Sequence, residues 1–299
     1  QGLKRIASDA RIQSFTYTSR RLDFLKDIEF ENLRVILEKG PILYQWGCGS
    51  LSIKGLNPFV KRKKELEVAV EAGELRMAAL KAENIDLNLT LGLLEDKLQR
   101  LHGDMKIPSF TLGPAHAEKI SCLIEGDGSH LKIKDCSAAA YDGNLFGDIS
   151  LDDLFRLSYN GTLSWRNVDV RKMRSVNDYF FSKMDGRMDG ALHLTGQKEK
   201  INGLRARLAL SPGGKIKASL LGLLVNYLPQ STQRRDLEAL IKIDGEIPVE
   251  KAVLELERTA SQKLAALVEV HSERLNLDFH ITVDINLGLP LEDVVKQAL

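Results

Sequence analysis

The sequence predicts a mainly β fold, in which one long antiparallel and strongly bent sheet forms a β-groove or a rolled sheet and helices are few and short. Two observations predict this class. Apolar and polar residues alternate over long stretches, which is the period of a strand with one face in the core and the other in solvent. Seven Asp-Gly or Asn-Gly pairs lie between residues 127 and 245, and such pairs favour the tight turns that join antiparallel strands.

The alternation identifies the strands and their apolar sides. It is longest at residues 275–287, and shorter stretches of the same kind lie at residues 66–70, 85–91, 192–194 and 204–210. Because alternate residues of a strand point to the same side, each stretch gives an apolar strip. The residues that we predict to form one apolar sheet face are Ile85, Leu87, Leu89, Leu192, Leu194, Leu204, Leu208, Leu210, Leu275, Leu277, Phe279, Ile281, Val283 and Ile285.

The Asx-Gly pairs predict the topology. Parallel strands need crossover connections, and most intervals between these pairs are too short to contain one. The simplest topology is therefore a meander of antiparallel hairpins. The seven predicted turns are Asp127-Gly128, Asp142-Gly143, Asn160-Gly161, Asp185-Gly186, Asp189-Gly190, Asn202-Gly203 and Asp244-Gly245.

Helical spacing of apolar residues is confined to a few segments. Residues 170–184 carry apolar side chains at near-helical spacing, which predicts one short amphipathic helix. Residues 218–228 are apolar almost all round and form a second helix candidate. The polar residues 230–235 predict a loop, and residues 291–299 predict a short closing helix.

No domain boundary is well marked in the sequence. The Asx-Gly turns begin near residue 125, so we distinguish an N-terminal β region, residues 1–125, from a C-terminal β region, residues 126–299. Alternating stretches lie on both sides of this point. We therefore expect the two regions to share one continuous sheet.

Composition narrows the class of protein. Of the 299 residues 43% are hydrophobic, which is enough for a substantial core, and 42 Lys and Arg against 41 Asp and Glu give a net charge of +1, so nucleic acid is not an expected partner. The longest nearly apolar run, residues 219–228, is about half of the roughly 20 residues that a membrane-spanning helix needs. The basic run at residues 61–64 predicts a solvated loop or sheet edge, with contact to lipid headgroups as the alternative.

The sequence contains no motif for catalysis, metal binding or nucleotide binding. The six histidines lack HExxH spacing, and GxSxG, GxxxxGK[ST] and a strand-linked GxGxxG do not occur. Three cysteines are too few for a disulfide framework. Cys122 and Cys136 flank a predicted turn, and they either face each other across a hairpin or, as we prefer, are small buried apolar residues. We expect no catalytic residue, no metal and no cofactor.

A continuous apolar sheet face has to be covered, because large exposed apolar patches are rare on monomers. One alternative is an ordinary sandwich or rolled sheet, in which this face is a closed core. The other is a trough whose apolar face binds the acyl chains of a phospholipid or another lipid. Scarce helices and many strands with the same apolar side favour the trough.

Three segments carry a family resemblance through their order. Residues 141–151 (YDGNLFGDISL) and 160–170 (NGTLSWRNVDV) form a glycine-marked strand pair that ends in Val-Asp-Val, and a short helix follows. Residues 184–196 (MDGRMDGALHLTG) then add a strand with three glycines, before an apolar segment at 214–228 and a closing strand at 279–287. This order resembles the C-terminal region of AsmA-like and TamB-like proteins.

The resemblance covers roughly residues 130–290 and implies a protein of the bacterial cell envelope. AsmA-like proteins are usually held by an N-terminal inner-membrane helix and have a repeating β-groove thought to pass phospholipids between membranes. For this chain the resemblance implies a location at the periplasmic face of the envelope, anchored through an N-terminal segment outside the given sequence. It also implies a part in intermembrane phospholipid transport or outer-membrane integrity. The chain is short for a complete bridge, so we expect a groove module or a fragment.

A second class of function stays open beside lipid binding. A non-enzymatic periplasmic scaffold, for example a component of a secretion system or of outer-membrane biogenesis, would close its β core with its own chain. It would recruit other envelope proteins by strand addition at the sheet edges. An enzyme would need convergent polar residues, which the sequence does not indicate. We expect a phospholipid or another acyl lipid as the main partner, with the membrane surface and envelope proteins as further partners.

Overall fold

The computed structural model describes residues 11–23, 27–39, 42–56, 63–95, 97–153, 156–198, 200–222, 225, 232–258 and 264–285. The fold is mainly β, as the sequence predicts, and sixteen of its strands form one antiparallel sheet. A second, three-stranded sheet contains β12, β15 and β16. The strands are β1 (Arg11–Thr16), β2 (Ser19–Asp23), β3 (Asp27–Lys39), β4 (Ile42–Lys54), β5 (Lys63–Met77), β6 (Leu80–Leu94), β7 (Lys97–Leu112), β8 (Ala115–Gly126), β9 (Leu131–Ala140), β10 (Gly143–Asp153), β11 (Ser158–Asp169), β12 (Met184–Asp185), β13 (Arg187–Gln197), β14 (Lys200–Leu210), β15 (Gly214–Lys217), β16 (Glu246–Val249), β17 (Lys251–Arg258), β18 (Leu264–Ser272) and β19 (Leu277–Ile285).

The large sheet is a meander. From β3 to β11 each strand pairs with the next strand along the chain, and β13, β14, β17, β18 and β19 continue the same order. At the opposite end, β1 and β2 both pair with β3. The sheet passes residue 125 without a break, because β8 and β9 pair from Gly126–Leu131 onward.

The register of the strands separates one apolar face from one polar face. Residues that pair directly across antiparallel strands have their side chains on the same side. Tracing these pairs across the sheet places one group of mostly apolar residues together, and we call their side the apolar face. It includes Val35, Trp46, Val70, Leu87, Met105, Cys122, Ile133, Leu145, Trp165, Leu192, Leu208, Leu254, Val268 and Ile281.

Bulges shift the alternation within several strands. Register shifts lie between β5 and β6, on both sides of β9, and between β11 and β13. Each shift contains a residue other than glycine with positive φ, namely Ala72, Asn84, Lys119, Asp135 or Asn167. The extra residue of a bulge reverses which of the following side chains point to the apolar side. The apolar face therefore continues through the bulge, but it passes from even-numbered to odd-numbered residues, or the reverse.

Aspartates on the neighbouring strand satisfy the backbone at three bulges. The N–H group of Asn167 donates to Oδ1 of Asp189 at 2.7 Å, and that of Asp135 donates to Oδ1 of Asp148 at 2.8 Å. The N–H group of Ala72 lies 3.4 Å from Oδ1 of Asp86. These carboxylates replace the ladder partner that a bulge removes from its backbone.

Three of the predicted Asx-Gly turns lie inside strands, so these predictions are wrong. They are Asn160-Gly161 in β11, Asp189-Gly190 in β13 and Asn202-Gly203 in β14. At Gly190 the reason is packing: a Cβ there would lie 2.2 Å from the Trp165 ring on the neighbouring strand. Glycine is needed at this position for close approach rather than for a turn.

The remaining Asx-Gly pairs lie at or beside turns. Asp127-Gly128 joins β8 to β9, and Asp185-Gly186 joins β12 to β13. Between β9 and β10 the two turn residues are Tyr141 and Asp142, with φ of 51° and 59°, so this turn begins one residue earlier than predicted. Asp244-Gly245 follows a helix instead of joining two strands of a hairpin.

A second layer, which we call the cap, covers one end of the apolar face. The cap consists of the three-stranded sheet, the 3-10 helices Val170–Ser175 and Ala218–Leu221, and the α-helices Asp178–Phe181 and Thr232–Lys242. Its buried core combines cap residues Val170, Phe181, Met184, Ile216, Ala218, Leu221, Val225, Leu237, Ile247 and Val249 with sheet residues Met188, Leu210, Val270 and Phe279. Burial of each large apolar side chain contributes about 1.5–3 kcal/mol to this packing.

The helices of the cap differ from those predicted. Residues 170–184 form two short helices rather than one, and the described part of the candidate at 218–228 contains the 3-10 helix Ala218–Leu221. The loop predicted at 230–235 is wrong, because the helix Thr232–Lys242 begins there and buries Leu237 against the core. The predicted helix at 291–299 lies outside the described residues. No helix of the described residues is long and apolar enough to cross a bilayer.

Candidate functional site

The residues that were predicted to form one apolar face do lie on one side of the sheet, with one exception. Leu275 lies in the turn Glu273–Asn276 that precedes β19, so the closing strand begins two residues later than predicted. For Ile285 the structure describes the backbone register alone, in which this residue pairs with Leu264. The others on the apolar face are Ile85, Leu87 and Leu89 in β6, Leu192 and Leu194 in β13, Leu204, Leu208 and Leu210 in β14, and Leu277, Phe279, Ile281 and Val283 in β19.

The structure brings the residues of β13, β14 and β19 together. In one row, Leu208 pairs with Leu254 of β17, which pairs with Val268 of β18, and Val268 pairs with Ile281. In the β13–β14 pair, Leu194 lies opposite Leu204. Five strands, three of which the sequence predicts, thus contribute to one patch.

The predicted residues of β6 lie elsewhere on the same face. Five strands, β7 to β11, separate β6 from β13, which corresponds to about 29 Å along the sheet at a strand spacing of about 4.8 Å. Leu87 packs instead against a small buried cluster of Leu33, Cys48 and Val70. The apolar face is therefore an extended surface, and its two ends do not form a single pocket.

Exposure of the predicted residues depends on the cap. Leu210 and Phe279 are only 6% and 3% exposed, because they lie in the core beneath it. Leu192, Leu194 and Leu204 lie outside the described core clusters and are half-buried. Further from the cap, Ile149 of β10 and Leu163 of β11 are 50% and 38% exposed. Apolar side chains on this face thus change from buried to accessible along the sheet.

An apolar cavity lies where the cap meets the rest of the face. It has a volume of about 130 Å³, and the cap contributes Phe180, Met184 and Leu220 to its wall. The sheet contributes Leu208 and Leu254, among other residues. Apolar cavities of roughly 150 Å³ stay dry and accept a small hydrocarbon guest. The geometry therefore suits the end of an aliphatic chain that lies along the apolar face.

Ion pairs between neighbouring strands cover the polar face. Arg205 of β14 binds Glu257 of β17 at 2.6 Å. On β18, Glu269 is 2.5 Å from Nζ of Lys251 and 3.1 Å from Nδ1 of His280. The hydrogen bond from Lys251, with the charges of Lys251 and His280, lowers the pKa of Glu269. The two faces of the sheet thus differ sharply in polarity.

Cys122 and Cys136 are free thiols on the apolar side of β8 and β9. A hydrogen bond between the two sulfur groups, together with burial and the nearby carboxylates of Asp148 and Asp135, raises the pKa of Cys136. Burial raises the pKa of Cys48, the third free cysteine. These thiols behave as parts of the apolar face.

Sequence reasoning missed several of the strands and residues that complete this face. The missed residues include Leu33, Met105, Ile124, Ile149, Leu163 and Val268. The available signal was alternation that changes parity at a bulge. In β5, for example, the apolar face contains Val68 and Val70 before the bulge at Ala72, and Gly73 and Leu75 after it. The cap strands β15 and β16 are four residues each and are too short for this signal.

The described residues contain no group of three or more His, Cys, Asp or Glu side chains arranged to hold a metal ion. No family model, curated protein or solved structure matches the chain. The likeness to AsmA-like proteins therefore stays a prediction from the sequence.

Proposed function

We propose that this protein is a lipid-binding β-groove protein of the bacterial cell envelope, which binds acyl chains along the apolar face of a bent sheet. In this role it contributes to phospholipid transport between membranes or to outer-membrane integrity. One observation carries the proposal: the apolar face continues across the large sheet, whereas the cap packs on one end of it. Ile149 and Leu163, beyond the cap, retain exposures of 50% and 38%.

The bulges support the bent form of the sheet. A β-bulge bends its own strand and increases the local twist. Bulged positions with positive φ occur in β5, β6, β8, β9 and β11, and those of β5 and β6 lie side by side. Bends repeated in neighbouring strands favour a trough with the apolar residues on its inside.

Partition supplies the mechanism of binding. Each methylene group that leaves water for the apolar face contributes about 0.8 kcal/mol, so one acyl chain gains enough free energy to be held. Contacts of this kind have no direction, and therefore a chain can slide along the strip. The headgroup stays at the solvated edge, since burial of an unpaired charge is costly. In this mechanism, binding is shared among many residues, and no single residue is a catalytic centre.

The envelope location in this proposal rests on the resemblance to AsmA-like proteins. The match of glycine-marked strands, short helix and later strands is the support for a periplasmic setting and for phospholipid as the ligand. The protein's partners in this proposal are an acyl lipid, the membrane surface and other envelope proteins at the sheet edges.

Native mass spectrometry tests the proposal. The protein is purified without harsh detergent from a double-membrane bacterium, and bound lipids are identified by mass. We expect adducts at phospholipid masses that disappear when Leu192 and Leu194, half-buried residues of β13, are changed to serine. Substitution of polar-face residues of the same strand, His193→Ser with Thr195→Ser, is the matched control and should retain the adducts. A clean mass without adducts from the folded wild-type protein would contradict lipid binding.

One observation favours a second candidate, a periplasmic scaffold with a closed β core. Phe279 and Leu210, both on the apolar face, are already buried by the cap. If the whole face were closed in this way, the protein would bind partners at its sheet edges instead of lipid. A stable wild-type protein that carries no lipid adducts would support this alternative if envelope proteins also bind at its edge strand β19.

A further inference from the structure

The cap carries an exposed patch at one end of its three-stranded sheet. Tyr179, in the helix Asp178–Phe181, is 70% exposed, and Ile243, in the turn after the helix Thr232–Lys242, is 76% exposed. Val176 beside the first helix is 37% exposed. We call Val176, Tyr179 and Ile243, together with the basic residues Arg174 and Lys183, the cap tip.

Strand order places these residues at the same end of the small sheet. Residues before β12 and before β16 lie beside the end of β15, because β15 runs antiparallel to both strands. Two backbone hydrogen bonds join them: the N–H of Lys217 donates to the carbonyl of Lys183, and the N–H of Ala218 donates to the carbonyl of Gly245, each at 2.8 Å. Tyr179 and Ile243 are therefore presented from adjoining segments.

The packing beneath the cap tip holds it in place. Phe181 is 8% exposed and belongs to the cap core, and Phe180 packs against that core. Asn177 caps the short helix, since its Oδ1 accepts a hydrogen bond from the Phe180 N–H at 3.0 Å. Tyr179 therefore points away from two anchored phenylalanines on a fixed turn.

Basic residues outnumber acidic residues in the segment that carries Val176 and Tyr179, whereas Ile243 lies between Lys242 and Asp244, whose carboxylate is paired with Lys217. The segment Val170–Met184 contains four basic residues and one acidic residue, Asp178. Arg171 and Lys172 form ion pairs with Asp169 and Asp142. Arg174 has no acidic partner among the described residues, and Nζ of Lys183 lies 3.9 Å above the centre of the Tyr179 ring. A tyrosine and an isoleucine beside cations match the headgroup region of an anionic membrane, where aromatic rings sit at the interface and basic residues meet lipid phosphates.

We propose that the cap tip docks on the surface of an anionic phospholipid bilayer. Tyr179, Val176 and Ile243 enter the interface, while Arg174 and Lys183 contact phosphate groups. The cap tip is a different surface from the apolar face, and its docking does not depend on acyl binding by that face.

Vesicle cosedimentation tests the docking. The full chain is mixed with vesicles of phosphatidylcholine alone or of phosphatidylcholine with phosphatidylglycerol. We expect stronger binding to the anionic vesicles, weakened by added salt. Arg174→Gln with Lys183→Gln should weaken that binding roughly 30-fold, at the usual contribution of each surface cation. Tyr179→Ser with Ile243→Ser should weaken it roughly tenfold or more.

Matched controls separate docking from net charge and from folding. Arg156→Gln with Arg207→Gln removes the same charge from exposed positions outside the cap, and Phe146→Ser removes an exposed aromatic ring from the polar face. These variants should bind anionic vesicles nearly as wild type. Circular dichroism and thermal unfolding establish whether each variant is folded. We expect folded variants, because the substituted side chains are exposed and their replacement removes little packing.

Two outcomes would overturn the docking proposal. One is a wild-type protein that does not cosediment with anionic vesicles. The other is binding that all cap-tip variants retain. A soluble fluorescent fatty acid, titrated into the same variants, reports on the apolar face separately. Binding of the fatty acid without binding to vesicles would refute the docking proposal and leave acyl binding standing. Binding to vesicles without binding of the fatty acid would refute acyl binding by the apolar face and leave docking standing.

Discussion

The indole ring of Trp165 in β11 lies directly over Gly190 in β13, and the two residues pair across the strands. A Cβ at position 190 would come within 2.2 Å of the ring carbons and 2.6 Å of Nε1. Nε1 is buried and has no hydrogen-bond partner among the described residues. The glycine thus creates the space in which the largest side chain of β11 lies flat on the apolar face.

Gly190→Ala should force the Trp165 ring out of this position. Overpacking of this kind costs about 1–3 kcal/mol, so the variant should unfold at lower urea concentration. The tryptophan emission spectrum should also change, and Trp46→Phe in the background leaves Trp165 as the only tryptophan reporter. The matched control is Gly161→Ala on the same face of β11, where a Cβ would meet only the Asp148 carbonyl oxygen at 3.9 Å. Equal effects of the two substitutions would contradict the close-packing role of Gly190.

This pair also explains the limits of prediction from the sequence. Alternation was enough to predict a mainly β fold and part of one apolar face, because a strand with one buried side repeats every two residues. It was not enough to separate a glycine that makes a turn from one that makes room for a ring. Asp189-Gly190 has turn chemistry in the sequence, and only the position of Trp165 on the next strand shows what Gly190 does.

The cap was the least predictable part of the candidate site. The helix Thr232–Lys242 starts within a polar stretch, and its apolar side chains, such as Leu237, gain their burial from distant residues such as Val249. Tertiary packing of this kind overrides local propensity. The cavity beneath the cap combines side chains more than 80 residues apart in the chain, from Phe180 to Val268, and no local pattern could predict it.

Substitutions beyond the cap test the apolar face at little cost in stability. Ile149→Thr and Leu163→Thr replace exposed apolar residues with a β-branched residue that suits a strand. We expect each variant to weaken binding of a fluorescent fatty acid by roughly threefold to tenfold, because less apolar surface meets the chain. Phe146→Thr, on the opposite face of β10, is the control. Unchanged affinity in the Ile149→Thr/Leu163→Thr double variant would place the acyl site elsewhere.

Filling the cavity should stabilise the protein and compete with a hydrocarbon guest. Ala252 lines the cavity, and Ala252→Leu adds three carbon atoms to a volume of about 130 Å³. We expect a gain in stability of about 0.5–2 kcal/mol and weaker binding of a fatty-acid probe. Ala265→Leu, on the polar side of β18, is the comparison because Ala265 does not line the cavity. A loss of stability in Ala252→Leu would mean that the cavity cannot accept an alkyl group.

The thiols of Cys48, which is buried, and of Cys136, which is half-buried, should react slowly in the native protein. The raised pKa of Cys48 and of Cys136 lowers the thiolate fraction near pH 8, and Cys48 is also only 6% exposed. We expect Ellman's reagent to modify both residues much more slowly than in urea, with each site followed by mass spectrometry of peptides. Rapid modification of Cys48 in folded protein would show that the β3–β5 part of the apolar face opens readily.

Asp169 should make the stability of the cap depend on pH. Its Oδ1 accepts hydrogen bonds from the Arg171 N–H at 3.0 Å and from Arg171 Nε at 3.2 Å, and Oδ2 accepts from Nη2 at 3.1 Å. This guanidinium contact lowers the pKa of Asp169, which lies at the start of the helix Val170–Ser175. A lowered pKa in the folded state means that the stabilisation is present above the unfolded value of about 3.9 and is lost as pH falls through the folded value.

Asp169→Asn should therefore reduce stability by about 1 kcal/mol at neutral pH, as expected for a charged capping residue, and by progressively less as the pH falls below about 4. Urea unfolding from neutral to acidic pH measures this difference. Arg171→Gln should show the same pH dependence, because the ion pair with Asp169 is missing in either variant. In a double-mutant cycle the two substitutions should be non-additive above pH 5 and should approach additivity in acid. Additive effects at neutral pH would mean that Arg171 does not stabilise the carboxylate, and the cap would then depend on the backbone hydrogen bond from residue 171 alone.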